Sequence, residues 1–256
     1  MTLALRAAVI YRGGLTEGNY FGWQKSLRAF LSKIEGFKKK GRRLIDVETY
    51  VVGRQRRWAG VFRSGSWQQN FVHSISFSAF YQQLNDPANQ GLAPSVFEIY
   101  NSGGQPRIAA IMRSGIVSPN MTFTLSVSSS TLKTSNAQHV GEGLRLADMQ
   151  PYISGGKVQW AAIWLPGSGD SYMVTDLLFE DFRHQTQKKF NDQGMRLMDL
   201  ETYKVNGKRL WAGFGRKGNW ANYFIANYSL ASFKNKIEKE FHDNSRRLIR
   251  MELYST

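Results

Sequence analysis

The sequence predicts an α/β protein, a closed five-fold pseudo-symmetric ring of β-β-β-α repeats of about 51 residues, similar in plan to an α/β propeller. The first observation behind this prediction is that related segments recur along the chain and end at equivalent tyrosines, Tyr50, Tyr100, Tyr152, Tyr203 and Tyr254. A fixed period of this length is typical of repeat architectures. The second observation is that one repeat is divided between the two ends of the chain. A ring would pair these halves, whereas an open array would leave their strand edges exposed.

The first three elements of the repeat are predicted to be strands. Apolar and polar side chains alternate along Arg43–Tyr50 and along Arg196–Tyr203, which is the period of a β-strand. A tight turn follows this first strand, and Asn206-Gly207 is a strong signal for a type I′ hairpin. The second strand, as in Arg57–Phe62, has small residues at its centre. A third short strand is expected after a glycine-bearing loop, at Asn70–Ser74, Met121–Leu125, Ser171–Thr175 and Asn222–Asn227.

A helix is predicted to close each repeat. It is clearest over Leu178–Gln193 and Leu230–Asn244, where apolar residues recur at helical spacing between Lys, Glu and Gln. Helices commonly end at a glycine in the left-handed conformation. We therefore expect helix ends at Gly41, Gly91, Gly143 and Gly194.

The repeat register sets the expected domain organisation. Residues 1–256 form a single repeat domain, with repeats near 43–92, 93–144, 145–195 and 196–246. Leu5–Ile10 fits the second-strand position of a repeat, while the C-terminus supplies a first strand that ends at Tyr254. Residues 1–42 and 243–256 are therefore expected to form the divided repeat that closes the ring.

The repeated motif also carries a resemblance to a known family. The pattern G-x-R-L-x-D-x-E-x-Y, followed after a short gap by W-A-G-x-F, resembles the polyglycine hydrolase-like structural repeat, also called the bacterial tandem repeat domain. The resemblance covers essentially the whole chain, with departures at Ala93-Pro94-Ser95 and at Gln150-Pro151. In that family the repeats are usually accessory modules, and in the fungal polyglycine hydrolases they precede a separate serine-β-lactamase-like domain. The resemblance implies a repeat scaffold without that catalytic domain, because the five repeats account for the chain.

Composition excludes several classes of site. The chain contains no cysteine, which excludes disulfides, a thiolate nucleophile and a Cys-ligated metal site. The four histidines, which share no position of the repeat and form no H-E-x-x-H motif, are His73, His139, His184 and His242. We therefore expect neither a metal nor a cofactor. No run of 18 apolar residues and no signal peptide is visible, so we expect no membrane span, and the cellular location stays open.

One enzyme hypothesis deserves a test. Ser130 and Lys133 have the spacing of a serine nucleophile and its lysine base one helical turn apart, at a predicted helix start. No Lys-Thr-Gly motif follows, and serines at this place also suit a helix cap. We therefore expect no catalytic residues, and a serine hydrolase-like enzyme is an alternative.

An acidic position recurs in the first strand. Ring closure would bring its members to equivalent positions, and these are Glu48, Glu98, Gln150, Glu201 and Glu252. If they point toward the axis, they form an acidic ring able to bind a cation or an amine. We favour the other orientation, outward, because paired carboxylates need less compensation than converging ones. The expected partners are the arginines of the repeat, Arg43, Arg57, Arg145, Arg196 and Arg247.

Two tryptophans recur in the loops after the second strands. The strand tryptophans Trp58, Trp160 and Trp211 are expected to fill the core, whereas Trp67 and Trp220 lie among small polar residues. An exposed indole beside amides can stack on a sugar ring or enter a partner's pocket. The predicted ligand-binding residues of these loops are Trp67, Gln68, Asn219, Trp220 and Asn222.

The net charge of +15 adds a second binding hypothesis. The basic excess belongs to the first, fourth and fifth repeats, which would be neighbours in a closed ring. The predicted basic patch consists of Lys38, Lys39, Lys40, Arg42, Arg54, Arg56, Arg246 and Arg250. Such a patch suits an anionic partner such as a nucleic acid, an acidic polysaccharide or an acidic membrane surface. The alternative is a solvated charged face that only keeps the protein soluble.

Our leading interpretation is therefore a non-catalytic, repeat-based module that binds a glycan or another polymer or surface ligand through the repeated Trp, Gly and Asn loops. The first alternative is a binder of anionic polymers, nucleic acid or acidic polysaccharide, through the basic side. Repeated sites would raise a weak single-site affinity by avidity.

Overall fold

The computed structural model describes residues 5–15, 18–116, 121–229, 232, 233, 235–237, 239 and 246–255. The strands in these residues are β1 (Leu5–Arg12), β2 (Asn19–Lys25), β3 (Arg42–Val52), β4 (Gln55–Ser64), β5 (Gln69–Ile75), β6 (Ala93–Ser102), β7 (Gln105–Arg113), β8 (Thr122–Val127), β9 (Leu144–Ser154), β10 (Lys157–Pro166), β11 (Ser171–Leu177), β12 (Met195–Val205), β13 (Lys208–Lys217), β14 (Asn222–Ser229) and β15 (Arg247–Ser255). The helices are α1 (Leu27–Lys38), α2 (Phe77–Leu84), α3 (Ser129–Gly141) and α4 (Phe179–Gln193), with a 3-10 turn at Pro87–Asn89.

The described strands form five three-stranded antiparallel sheets. Their orders are β2-β4-β3, β5-β7-β6, β8-β10-β9, β11-β13-β12 and β14-β1-β15. Repeated units of three-stranded sheets and helices are thus an α/β architecture, as the sequence predicts.

The hydrogen bonding shifts the structural unit relative to the repeat that the sequence delimits. In each of the five described sheets the second strand of a repeat is central. One of its neighbours is the first strand of the same repeat, and the other is the third strand of the preceding repeat, as β2 is for β4. The reason is the helix, which lies between a third strand and the next first strand and connects the two outer strands of one sheet. The structural unit therefore reads β-α-β-β.

The fifth sheet takes its central strand from the beginning of the chain. β1 pairs antiparallel with β14 on one side and with β15 on the other. In the second pairing Leu5 lies opposite Ser255, so the first and last described residues are cross-strand neighbours.

The small centre of the second strand has a packing reason. A Cβ atom added at Gly60 would lie 2.9 Å from Cζ of Phe30 on α1 and 2.6 Å from Cδ1 of Leu44. The helix therefore packs directly on the strand backbone. The same helical position is fully buried in every repeat, at Phe30, Phe80, Leu132, Phe182 and Phe233. The strand tryptophans Trp58, Trp160 and Trp211 are buried in the core, which confirms that expectation.

The predicted turns and helix ends have the expected backbone. Asn206 and Gly207 have φ values of 48° and 76°, as a type I′ turn requires at both positions. Gly41, after α1, has a φ of 67°, in the left-handed region that glycine adopts without strain. The prediction of helix Leu178–Gln193 is confirmed to within one residue. Much of the predicted helix Leu230–Asn244 lies outside the described residues. Within this range, residues 232, 233, 235–237 and 239 are described, and they are helical.

The chain divides into two compact bodies. The first body comprises Met1–Ser66, Thr186–Leu200 and Lys217–Thr256, and the second comprises Trp67–Gln185 and Glu201–Arg216. Each body has its own apolar core, which includes Val9, Val61 and Phe233 in the first and Phe80, Phe97 and Ile163 in the second. No helix in the described ranges has the length and apolar character needed to span a membrane.

Candidate functional site

The most regular side chain of the repeat, the tyrosine, has a structural task. In four repeats, those of Tyr100, Tyr152, Tyr203 and Tyr254, its hydroxyl bonds to a residue of positive φ at an irregularity in the third strand of the same sheet. Tyr203 donates to Oδ1 of Asp176 at 2.8 Å and accepts from the Asp176 amide at 3.0 Å. The other pairs are Tyr100 with Ser74, Tyr152 with Ser126, and Tyr254 with Asn227. The tyrosine period therefore marks the scaffold and leaves the binding site to other residues.

The aspartate of the repeat joins neighbouring first strands. Oδ2 of Asp148 accepts the Phe97 amide at 2.6 Å, and Oδ2 of Asp46 accepts the Met251 amide at 2.8 Å. Phe97 and Met251 occupy the same position of their repeats, three residues before the tyrosine. The two bonds are thus the same contact, once between the second and third repeats and once between the last and the first.

Arg250 occupies the aspartate position of the last repeat, and the structure corrects its assignment to the basic patch. Its side chain is only 13% exposed and lies 3.2 Å from Oδ1 of Asp46 and 3.2 Å from Oδ1 of Asp199. One guanidinium therefore serves two buried carboxylates. Burial, with the nearby Asp199 charge adding to it, raises the pKa of Asp46 to about 7 although Arg250 opposes the shift.

The five members of the acidic position are all buried. Two contacts place them against neighbouring first strands: Glu48 accepts the Leu253 amide at 3.4 Å, and Nε2 of Gln150 donates to Glu201 at 2.7 Å. Among the arginines expected as their partners, Arg196 donates to the Trp220 carbonyl at 2.6 Å. The remaining members of the position are Glu98 and Glu252.

Asn222, predicted to bind a ligand, holds two strands together. Its Oδ1 accepts the Leu197 amide at 2.9 Å, and its Nδ2 donates to the Leu197 carbonyl at 3.1 Å. Asn19, at the equivalent position of β2, makes the same pair of bonds with the backbone of Leu248. An amide with both groups bound in this way imitates a strand backbone. The asparagine position therefore belongs to the scaffold.

Each loop tryptophan lies under an arginine. The guanidinium carbon of Arg113 is 4.7 Å from the Trp67 ring centre, and that of Arg12 is 4.3 Å from the Trp220 ring centre. Both indoles are partly buried, while Gln68 and Asn219 are exposed. A Cβ atom added at Gly218 would lie 2.2 Å from the Trp220 ring, so this glycine lets the indole fold back on its own loop. These indoles offer a mixed cationic and aromatic surface.

The predicted basic patch is divided in space. Lys38, Lys39, Lys40 and Arg42 lie at the beginning of β3, whereas Arg54 lies beyond its other end and Arg56 lies opposite Val51, close to that end. At about 3.3 Å per residue the 11 residues of β3 separate these groups by roughly 30 Å. The lysines and Arg54 are exposed, and Arg246 lies at the beginning of β15. The cations at the two ends of β3 are therefore close in the sequence but far apart in the structure.

Cations from neighbouring strands converge instead at the end of the sheets where the first strands begin. Arg43 lies directly opposite Arg63 on β3 and β4, and Arg12 lies directly opposite Arg247 on β1 and β15. We name this surface the arginine edge, and it comprises Arg12, Arg42, Arg43, Arg63, Arg246 and Arg247. Its aromatic floor is Tyr20 under Arg42 at 3.4 Å and Tyr223 under Arg246 at 4.4 Å.

The two arginine pairs are connected through Asn19. This residue lies opposite Arg63 in the β2–β4 pairing, and its side chain bonds to Leu248, the neighbour of Arg247. A single path of contacts therefore runs across two sheets of the first body from one pair to the other. Sequence reasoning missed these pairs because they depend on cross-strand register. The available signal was the arginine at the end of the second strand, Arg12, Arg63, Arg113 and Arg216.

The contacts of the serine and lysine of the enzyme hypothesis lie elsewhere. The Ser130 hydroxyl bonds to that of Ser128, the N-cap of α3, at 2.8 Å. Nζ of Lys133 lies 3.7 Å from Asp176. In the part of the chain that the structure describes, no group of three or more His, Asp or Glu side chains is placed to hold a metal ion. His242 lies outside the described residues.

Comparison with known proteins finds one family. A family model described as "Polyglycine hydrolase-like, structural repeat" matches residues 14–64, 119–166 and 184–214, about half of the chain. The first segment contains β2, α1, β3 and β4, and the second contains β8, α3, β9 and β10. These segments coincide with the β-α-β-β unit of the sheets. No curated protein matches the chain.

Proposed function

Because the chain belongs to the polyglycine hydrolase-like structural repeat family, we propose that it is a non-catalytic, repeat-based binding module for a polymer, and that this polymer is anionic. The single observation that carries the proposal is the arginine edge, where two like-charged cross-strand pairs recur in equivalent places. An anionic ligand at this edge would receive charge-assisted hydrogen bonds from guanidinium groups of two neighbouring strands at once.

The side chains of the edge suit a polymer with sulfate, phosphate or carboxylate groups. Guanidinium groups bind such oxyanions with two parallel donors, and they also stack on aromatic rings. The stacking of Arg42 on Tyr20 and of Arg246 on Tyr223 holds two guanidinium groups in fixed positions. A repeated set of fixed cations matches a ligand with repeated charges, for which avidity multiplies modest single-site affinity.

The loop tryptophans support an acidic glycan over a neutral one. Arg12 covers one face of Trp220, and Arg113 covers one face of Trp67. A sugar that stacks near either indole therefore meets a cation at the same place. An acidic polysaccharide would contact both the indole and the guanidinium group. Such a ligand would therefore use the aromatic loops and the basic side together.

We also infer that the five repeats close into a ring. The bond from Asp46 to the Met251 amide has the same form as the bond from Asp148 to the Phe97 amide. The last repeat thus contacts the first as consecutive repeats contact each other. The insertion of β1 between β14 and β15 supports the same inference.

A salt-dependent binding assay tests the anionic ligand. We expect the protein to bind heparin, the probe used here for a sulfated polysaccharide, with an affinity that falls steeply as salt rises. A neutral glucan of similar length should bind weakly, with little dependence on salt. Strong binding to the neutral glucan at high salt would favour stacking and contradict the proposal.

A matched pair of variants locates the site. Arg63→Gln should weaken heparin binding and lower the slope of log affinity against log salt by about one. Arg183→Gln removes an exposed arginine of α4 that is paired with Glu180, and it should leave binding unchanged. Equal effects of the two substitutions would assign binding to overall charge and not to the arginine edge.

The non-catalytic part of the proposal has its own test. The contacts of Ser130 and Lys133 give no support to a serine hydrolase, because the hydroxyl serves the helix cap and the amine faces a carboxylate. We expect a serine-directed covalent probe to leave the protein unlabelled. Labelling that disappears in Ser130→Ala would overturn this part.

A further inference from the structure

The hairpin between β3 and β4 carries two exposed valines at its tip. Val51 and Val52 are 56% and 44% exposed, and they immediately precede the turn residues Gly53 and Arg54. Both turn residues have positive φ, at 54° and 69°, so the turn is tight and the tip is convex. Apolar side chains at a convex tip have no pocket of their own fold to enter.

Arginines surround these valines in a defined order. Val51 lies opposite Arg56, and Tyr50 lies opposite Arg57, so each face of the hairpin carries an arginine within two residues of a valine. Hydrogen bonds hold both side chains, from Arg56 to Thr49 at 2.6 Å and from Arg57 to Gln55 at 2.5 Å. Arg54 is exposed at the turn itself. The end of the hairpin thus has two apolar side chains with three arginines, Arg54, Arg56 and Arg57, close to them.

The equivalent hairpins differ in this respect. The β6–β7 hairpin has Asn101 and Ser102 in place of the valines, and the β12–β13 hairpin has Lys204 and Val205. Among the described residues, the first hairpin combines two exposed valines with three arginines. The two valines and Arg54 do not belong to the tyrosine, aspartate and asparagine positions, whose contacts join the strands of the scaffold.

We propose that the β3–β4 hairpin docks on an anionic lipid bilayer, with Val51 and Val52 entering the interface and the arginines meeting the headgroup phosphates. Apolar tips that insert shallowly gain from burial of their side chains. Each nearby arginine gains further from the negative surface potential of the leaflet. The length of an arginine side chain allows its charge to stay at the phosphates while its stem follows the valines inward.

The size of the patch favours a bilayer over a protein partner. A stable protein interface buries about 800 Å² on each partner, far more than two valine side chains provide. Insertion into a bilayer needs no complementary pocket and tolerates a small convex tip. The exposed charge at the turn also matches the anionic surface more simply than it matches an apolar groove.

Vesicle sedimentation tests the proposal with the complete chain. We expect binding to phosphatidylcholine vesicles that contain phosphatidylserine and much weaker binding to phosphatidylcholine alone. Val51→Ser with Val52→Ser keeps every charge, the arginine edge included, and should weaken binding about ten- to hundredfold. Arg54→Gln should weaken it about fivefold. The control Val205→Ser, in the equivalent fourth hairpin, should have no effect.

A dye label locates the insertion directly. The chain contains no cysteine, so Val52→Cys and Ser102→Cys each provide one thiol at equivalent hairpin tips. An environment-sensitive dye should shift its emission to the blue with anionic vesicles at residue 52 and not at residue 102. Absence of vesicle binding, unchanged binding of the double serine variant, or equal emission at the two sites would each overturn the proposal. Heparin binding by the same variants separates this result from the arginine edge.

Discussion

Asp46 is a buried carboxylate whose pKa is set by burial and by two neighbouring charges. Three repeats have an aspartate at this position, at Asp46, Asp148 and Asp199. The last repeat has Arg250 there instead, and its guanidinium contacts both Asp46 and Asp199. Burial of the Asp46 carboxylate is the main reason why its pKa rises to about 7, and the nearby charge of Asp199 adds to the shift. The Arg250 guanidinium opposes the shift.

This shift predicts a pH dependence with a definite sign. Between the ordinary pKa of 3.8 and the folded value of about 7, the folded state holds a proton that the unfolded state has lost. Linkage then requires that the free energy of unfolding fall as pH rises through this interval and stay level above it. Asp46→Asn keeps an oxygen for the Met251 amide but does not titrate. The unfolding free energy of this variant, minus that of the wild type, should rise by roughly 1–4 kcal/mol between about pH 4 and 7.

Urea unfolding at a series of pH values measures this difference. The comparison of the two proteins at each pH removes the contribution of the other carboxylates, which titrate in both. A difference that falls with pH would contradict the expected sign, and a constant difference would show that Asp46 is already ionised at acidic pH.

Gly60 and Gly36 make a second matched pair, in which the same substitution should have opposite effects. Alanine at position 60 would crowd Phe30 and Leu44, whereas a Cβ atom at position 36 of α1 meets nothing within 4 Å. We expect Gly60→Ala to destabilise the protein by about 1–3 kcal/mol. Gly36→Ala should stabilise it by about 0.5–1 kcal/mol, because alanine suits a helix better. Thermal or urea unfolding gives both values, and a neutral Gly60→Ala would show that α1 can move away from β4.

At the scale of the element, the asparagine bonds hold adjacent sheets together. Asn222 bonds to both backbone groups of Leu197, so Asn222→Ala removes these two hydrogen bonds together with the longer one to the Tyr11 carbonyl. We expect a loss of about 1–3 kcal/mol in unfolding free energy. Asn219→Ala, an exposed change in the same loop, should stay within about 0.5 kcal/mol of the wild type. Equal stability of the two variants would mean that solvent replaces the bonds to Leu197.

The elements also show where sequence reasoning succeeds and why it stops. First strands, hairpin turns and helix ends are predictable because alternation, Asn-Gly and glycine act locally. The sequence does not reveal that β2 pairs with β4, because strand pairing depends on contacts between segments that are distant in the sequence. The arginine pairs were missed for the same reason, since they depend on the register of paired strands. The basic patch was predicted from nearness in the sequence, and this was wrong for the buried Arg250.

At the scale of the whole molecule, the placement of β1 makes the first residues essential. Deletion of residues 1–12 removes the central strand between β14 and β15, together with the fully buried side chains of Ala7, Ala8, Val9 and Ile10. We expect one cooperative unfolding transition at a much lower temperature than that of the intact chain. Calorimetry measures this directly. An unchanged main transition, accompanied only by loss of a minor one, would contradict ring closure.

Strand β1 cannot complete its sheet when it is synthesised, because both of its partners lie far later in the sequence. Strands β2 to β13 are all translated after β1 and before β14. Until residues 222–255 have been translated, the apolar stretch of β1 lacks the two strands that flank it in the sheet. An apolar strand with unpaired edges is prone to associate with other chains, so this delay exposes the growing chain to aggregation.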